Sequence, residues 1–190
     1  MSEIKDTYVI EWMGPYDSPE EMDKYIYTDD CTFYIITGSM KHQYDIGIKY
    51  IGISKRPLIE RLNDPDHKEK QKEIMDKQFW AGCFSVSAFN NLKAESCKKR
   101  RRERAELVEH LLVRYLSIQN DYYHYLNDKK TKSNPKHPIV VVSRGISKDC
   151  NKERCNKPYT LKNIPDVLMY VDGKFFAADK LKMIYDTNVI

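Results

Sequence analysis

The sequence predicts an α+β protein: a small, mainly antiparallel sheet flanked by helices, with a C-terminal extension that also contains strands. Three observations carry this expectation. Thr32 to Thr37 and Ile46 to Ile53 are β-rich runs of Ile, Tyr and Phe with Gly and Ser between and after them, a hairpin pattern. Residues 105–120, AELVEHLLVRYLSIQN, are amphipathic, because Val108, Leu111, Leu112 and Tyr115 fall on one stripe at about 100° per residue. Near the C-terminus, Ile139 to Ser143 is a continuous β-branched run, and Val167 to Phe176 reads as a hairpin turning at Asp172-Gly173.

Taken in order, Thr7 to Trp12 reads as a short strand. A helix start follows: Ser18 can accept from free amide hydrogens, Pro19 suits the first helical position, and Glu21 can close a capping box. This helix runs to about Tyr25, and the hairpin comes next. Leu58, Ile59 and Leu62 then set a helical pattern that stops near Asn63-Asp64-Pro65. Lys68 to Lys77 is charged and helical in composition, anchored only by Ile74 and Met75. Phe79 to Phe89 is apolar enough for a buried third strand. The stripe of the long helix, projected backward, passes through Arg101 and Arg104, which an apolar core cannot accept unpaired. After that helix, NDKKTKSNPKHP is a polar, proline-containing loop and the expected boundary of the C-terminal extension. A short helix from Asp179 to Tyr185 is expected to close the chain.

The chain has 190 residues, 41% hydrophobic and 32% charged, a composition that suits one globular domain with added segments. No apolar run approaches the ~18 residues that span a bilayer, so no membrane partner is expected. Five cysteines at scattered positions suit a reducing compartment, with cytoplasm the default. Cys150, Cys155 and His137 do not make up the two ligand pairs of a usual zinc site. The net charge is +4, but it is unevenly spread. Residues 1–30 hold nine acids against Lys5 and Lys24; residues 91–104 hold seven bases against Glu95 and Glu103; residues 129–162 hold ten against Asp149 and Glu153. Such separation suits a polyanion on one surface, and solvated faces are the plain alternative for either basic run alone.

Strand alternation places Tyr34 and Ile36 on one face of the hairpin and Phe33 and Ile35 on the other, with Tyr50 and Gly52 sharing a face. Two tyrosines can thus meet near Arg61 of the next helix. The ordered set Thr32-Phe33-Tyr34, Tyr50-Ile51-Gly52, Ile53-Ser54, Arg61 and a later helical glutamate resembles the GIY-YIG nuclease superfamily over residues 31–127. In the first triplet Thr32 stands for glycine and Phe33 for isoleucine. The resemblance divides the chain into an acidic strand-helix extension (1–30), a GIY-YIG-like nuclease core (31–127) and a C-terminal extension suited to substrate recognition (128–190). It implies a divalent-metal-dependent DNA endonuclease using Mg2+ or Mn2+. Tyr34 is then the general base or the group orienting water, Tyr50 its support, Arg61 the contact to the scissile phosphate and Glu109 the metal ligand.

The family's glutamate is followed at three and four residues by apolar side chains. Leu112 and Val113 give Glu109 that context, whereas Glu106 has Glu109 and His110 there. Glu109 also lies about 100° from Val108, at the stripe's margin, and Glu106 about 160° away. Lys49 and Lys55 flank the second triplet and, with Lys98, Lys99, Arg100, Arg101 and Arg102, form the expected nucleic-acid contacts. His67 reads as a surface residue. Asn127 reads as structural, and Tyr122, Tyr123 and Tyr125 as half-buried packing that could also stack on bases. A core this small needs the extension or a homodimer partner to choose its target. A non-catalytic nucleic-acid-binding module on the same fold is the alternative, and an interaction domain without nucleic acid is a third reading weakened by the clustered bases.

Overall fold

Tyr8, Ile10 and Trp12 alternate along β1 (Asp6–Tyr16) and are buried on one side of it. This strand sits between β4 (Ile74–Phe84), to which it is antiparallel, and β5 (Ile139–Ser147), to which it is parallel. The computed structural model describes residues 6–26, 32–41, 45–85, 98–119, 133–147 and 159–179, with side chains throughout except at 98–101, 146–147 and 159. Around β1, β2 (Phe33–Met40), β3 (Gly47–Ile53), β6 (Val167–Val171) and β7 (Lys174–Ala178) complete a seven-stranded sheet in the order β3-β2-β4-β1-β5-β6-β7. The sheet curls into a half-barrel.

This corrects the expected fold class. The sheet is not a small antiparallel one flanked by helices but a mixed, strand-dominated one, in which the C-terminal strands continue the same ladder as the hairpin. The parallel pair β1–β5 is what changes the class. Its partners run from Asp6↔Ile139 to Gly14↔Ser147, and no local turn can announce so distant a pairing. The continuous apolar run at Ile139–Val142 is typical of a strand covered on both faces, but such a run does not say which strand it joins.

Four α-helices are described: α1 (Pro19–Tyr25), α2 (Leu58–Leu62), α3 (Pro65–Gln71) and α4 (Lys98–Gln119). In α1 the Ser18 Oγ accepts from the Glu21 amide at 3.0 Å, while the Glu21 carboxylate accepts from the Asp17 amide at 2.6 Å. The reciprocal bond thus closes one residue earlier than in a standard capping box. The helical reading of residues 68–77 is also corrected: α3 ends at Gln71 and Ile74 already begins β4. Its inward side chains are His67 and Gln71, one turn apart, and the Gln71 Nε2 donates to the Leu62 carbonyl at 2.9 Å, tying α3 to α2.

Two cores lie on opposite faces of the sheet. One gathers Trp12, Phe33, Ile35, Ile48, Ile51 and Trp80 under the α4 stripe of Val108, Leu111, Leu112 and Tyr115. The other gathers Tyr34, Ile36, Phe79 and Ala81 under Met22 of α1 and Leu58 and Leu62 of α2. Asp172-Gly173 turns the β6–β7 hairpin with φ of 47° and 80°, a left-handed pair that glycine at the second position makes inexpensive. The expected strand beyond Ser85, the helix after Asp179, and Tyr122, Tyr123, Tyr125, Asn127, Cys150 and Cys155 lie outside the described residues. No described helix is long and apolar enough to cross a membrane.

Candidate functional site

Strands β2 and β3 pair with Tyr34 opposite Gly52 and Ile36 opposite Tyr50. The next pair is Thr37 opposite Ile48, so Lys49 is an extra residue, a β-bulge. The bulge lets Ile48 and Ile51 both enter the α4-side core while Tyr50 packs on the opposite face with Tyr34. The two phenol rings stack with centroids 5.7 Å apart and planes 19° from parallel. Gly52 makes this possible, because a Cβ there would collide with the Tyr34 ring and come within 2.8 Å of the Tyr50 ring. The glycine of the second triplet thus has a steric reason: the Tyr34 phenol lies across its backbone.

Helix α2 delivers Arg61 to the same place. Leu58 and Leu62 are fully buried and orient the helix, leaving the Arg61 side chain 35% exposed. Its Nη1 donates to Asp64 Oδ2 at 3.2 Å, and Asp64 also pairs with Arg56. The guanidinium pKa is raised: burial, the largest influence, acts to lower it, and the pull of Tyr34, Asp64 and Tyr50 outweighs burial. Ser54 serves the turn before α2, its Oγ donating to the Arg56 carbonyl at 2.7 Å and accepting from the Arg56 amide at 3.2 Å.

His67, read from sequence as a surface residue, is instead 4% exposed. Its ring meets both tyrosines edge-on, at centroid distances of 5.8 Å from Tyr34 and 5.6 Å from Tyr50. Its Nε2 and Nδ1 lie 3.4 and 3.5 Å from the Tyr34 hydroxyl. Burial, then the positive charges of Arg61 and Lys70, depress its pKa from 6.5 to about 4, so the imidazole is neutral at neutral pH. Lys70, one turn further along α3, holds its Nζ 5.8 Å from the Tyr50 centroid. Neither His67 nor Lys70 was singled out as a site residue by the sequence. The available signal was spacing: with Pro65 in the first turn of α3, His67 and Gln71 share the face that Ile74 continues inward.

The tyrosines themselves are strongly shifted. Burial pushes Tyr34 well above the ordinary phenol range, aided by Tyr50 and opposed by Arg61. Tyr50 is raised as well, by burial first and also by the negative charge of Glu109, while its hydrogen bond with Tyr34 acts the other way. A lowered Tyr34 pKa, which a phenolate base requires, is therefore not present: the charge of Arg61 does not overcome desolvation.

Glu109 is 7% exposed on α4, the helix of the opposite face, and Tyr50 senses it at the edge strand β3. Glu106 points outward and pairs with Arg102 at 2.6 Å, both partly exposed. No group of three or more His, Cys, Asp or Glu suited to a metal occurs among the described residues. The carboxylate of Glu109 is the hard oxygen donor whose charge reaches the cluster, and magnesium is commonly held by one or two carboxylates together with substrate phosphates and water.

Of the remaining expected contacts, Lys55 is exposed on the turn before α2. Lys49 is fully buried at the bulge with its Nζ enclosed, which keeps it from a polyanion at the surface, and burial lowers its pKa. Arg102 is exposed but engaged by Glu106. The side chains of Lys98, Lys99, Arg100 and Arg101 lie outside the described residues, although α4 includes their backbone. No protein-family model, curated protein or solved structure matches this chain.

Proposed function

We propose that the chain is a divalent-metal-dependent DNA endonuclease with a GIY-YIG-like site. The observation that carries this reading is convergence: Tyr34, Tyr50 and Arg61, singled out by motif order, cluster around a buried neutral histidine. A structural role alone gives no reason to bury so many titratable groups together, since each loses hydration.

Exposure sets the division of labour. Tyr50 and Arg61 are partly exposed and face the substrate; Tyr34 and His67 lie behind them. Arg61 grips the scissile phosphate with its planar fork. Glu109 would hold the metal, which when bound supplies positive charge at the phosphate. An attacking water at Tyr50 gives up its proton as the Tyr50 proton passes to Tyr34 and the Tyr34 proton to His67. The water oxygen bonds to phosphorus, the bond to the leaving sugar oxygen breaks, and that oxygen is protonated from solvent. His67 is a weak base in the resting site because burial first, and then Arg61 and Lys70, depress it. A bound phosphate offsets those two cations and raises the affinity of His67 for the proton.

The test is cleavage of supercoiled plasmid by purified protein with magnesium, with manganese, and with chelator. Nicking that requires the metal supports the reading. Salt-sensitive binding without cleavage under any metal would replace it with the non-catalytic nucleic-acid-binding module, which the altered first triplet and the 1% exposure of Tyr34 favour.

A further inference from the structure

The cations around the tyrosine cluster are not equivalent. Asp64 engages both Arg56 and Arg61, Glu69 holds Lys72 at 2.5 Å, and Lys77 donates to the Gln71 carbonyl at 3.1 Å. Lys70 differs. It is exposed, no carboxylate among the described residues pairs with its ammonium, and its Nζ lies over the Tyr50 ring, 5.8 Å from the centroid. The placement follows from α3 geometry. His67 and Lys70 are three residues apart and so share a side of the helix, His67 reaching inward and Lys70 standing at the rim.

We infer that Lys70 is a phosphate-contacting residue of this site, meeting the polyanion beside Tyr50 while Arg61 takes the phosphate under attack. The inference rests on the reading of this cluster as nucleic-acid-facing. An ammonium held over an aromatic ring keeps its donors toward solvent, because a π-face satisfies charge without supplying a directed acceptor. Lysine also suits a phosphate contact that needs a point charge rather than a bidentate fork. A nucleic-acid strand carries regularly spaced phosphates and so can meet Lys70 and Arg61 through successive ones.

The full chain and its Lys70→Gln, Lys70→Arg and Lys72→Gln variants are compared, after thermal melts confirm folding. Binding to a short fluorescein-labelled duplex is titrated across salt, and plasmid cleavage with magnesium is timed. Lys70→Gln is expected to weaken binding about tenfold, the worth of one charge-assisted hydrogen bond. It should also reduce the log–log salt slope by about 0.9. Lys70→Arg should restore both, and Lys72→Gln should match wild type. An unchanged slope in Lys70→Gln overturns the inference, and the nuclease reading survives if wild type still cleaves. A reduced slope with no cleavage by wild type keeps the Lys70 contact and removes the nuclease. A wild-type protein that binds no duplex removes both.

Discussion

On the face covered by α4, Trp12, Phe33, Ile35, Trp80, Val108 and Leu111 have almost no exposure, and the indole nitrogens of Trp12 and Trp80 have no hydrogen-bond partner among the described residues. On the opposite face of the same hairpin, alternate side chains give a different interior. Tyr34, Tyr50 and His67 are packed ring against ring, with Arg61 at their edge. Strand alternation builds both, so the difference lies in what each face is covered with. One long amphipathic helix supplies a continuous apolar stripe. Three short helices supply Met22, Leu58 and Leu62 as fully buried apolar anchors and otherwise present Arg61, His67 and Gln71. The first face is organised for stability. The second buries polar groups that desolvation penalises, an arrangement expected where a protein has a use for them.

That contrast can be broken first where the effect is largest. Trp80→Ala, on the dry face, should cost about 3–5 kcal/mol of unfolding free energy, read from urea midpoints, because a large aromatic leaves a cavity that the strands cannot close. On the other face the size of the effect should move from stability to activity. Arg61→Ala and Tyr34→Phe there, and Glu109→Gln on α4 across the sheet, should each lower plasmid cleavage by about 10²–10³-fold while remaining folded. A folded variant among these that cleaves at the wild-type rate removes that residue from the site.

The third test uses pH. His67 is depressed to about 4 from 6.5, so its neutral form is favoured in the folded state and its protonated form in the unfolded chain. Its contribution is therefore fully present above the unfolded value of 6.5, and is lost as pH falls from there through the folded value of about 4. Wild type should lose on the order of 3 kcal/mol more than His67→Gln between about pH 7 and about pH 4. Parallel losses in the two proteins would mean that the histidine titrates as if exposed.

The hairpin, the shared face of Tyr34 and Ile36 and the α4 stripe were all legible, since each is a local periodicity of two or 3.6 residues. Three features were not. The β1–β5 pairing joins distant segments and leaves no turn signature. The Lys49 bulge adds one residue to β3 without a glycine or proline to mark it, so strict alternation assigns Ile48 to the wrong face. His67 was hidden because apolar periodicity flags buried hydrocarbon, not a buried imidazole whose partners are tyrosines on another element.

The smallest expected effect belongs to Glu106, and its smallness is what makes it informative. Glu106 and Glu109 are neighbours on α4, one turn-fraction apart, yet the helix gives them opposite surroundings. Glu106 pairs with Arg102 at 2.6 Å across side chains that are 42% and 49% exposed, a contact worth about 0.3–0.5 kcal/mol at this spacing. Glu109 is 7% exposed and its charge reaches Tyr50. Glu106→Gln should thus shift the urea midpoint barely above error, and that shift should shrink with added salt. Plasmid cleavage should be unchanged. Because Glu106→Gln alters the charge of the same helix by the same amount as Glu109→Gln, it separates a general loss of negative charge from loss of a ligand at one position. Should Glu106→Gln abolish cleavage while Glu109→Gln retains it, the metal would belong on the outer side of α4, away from the tyrosines. The two faces of the sheet would then not divide the labour in the way their packing implies.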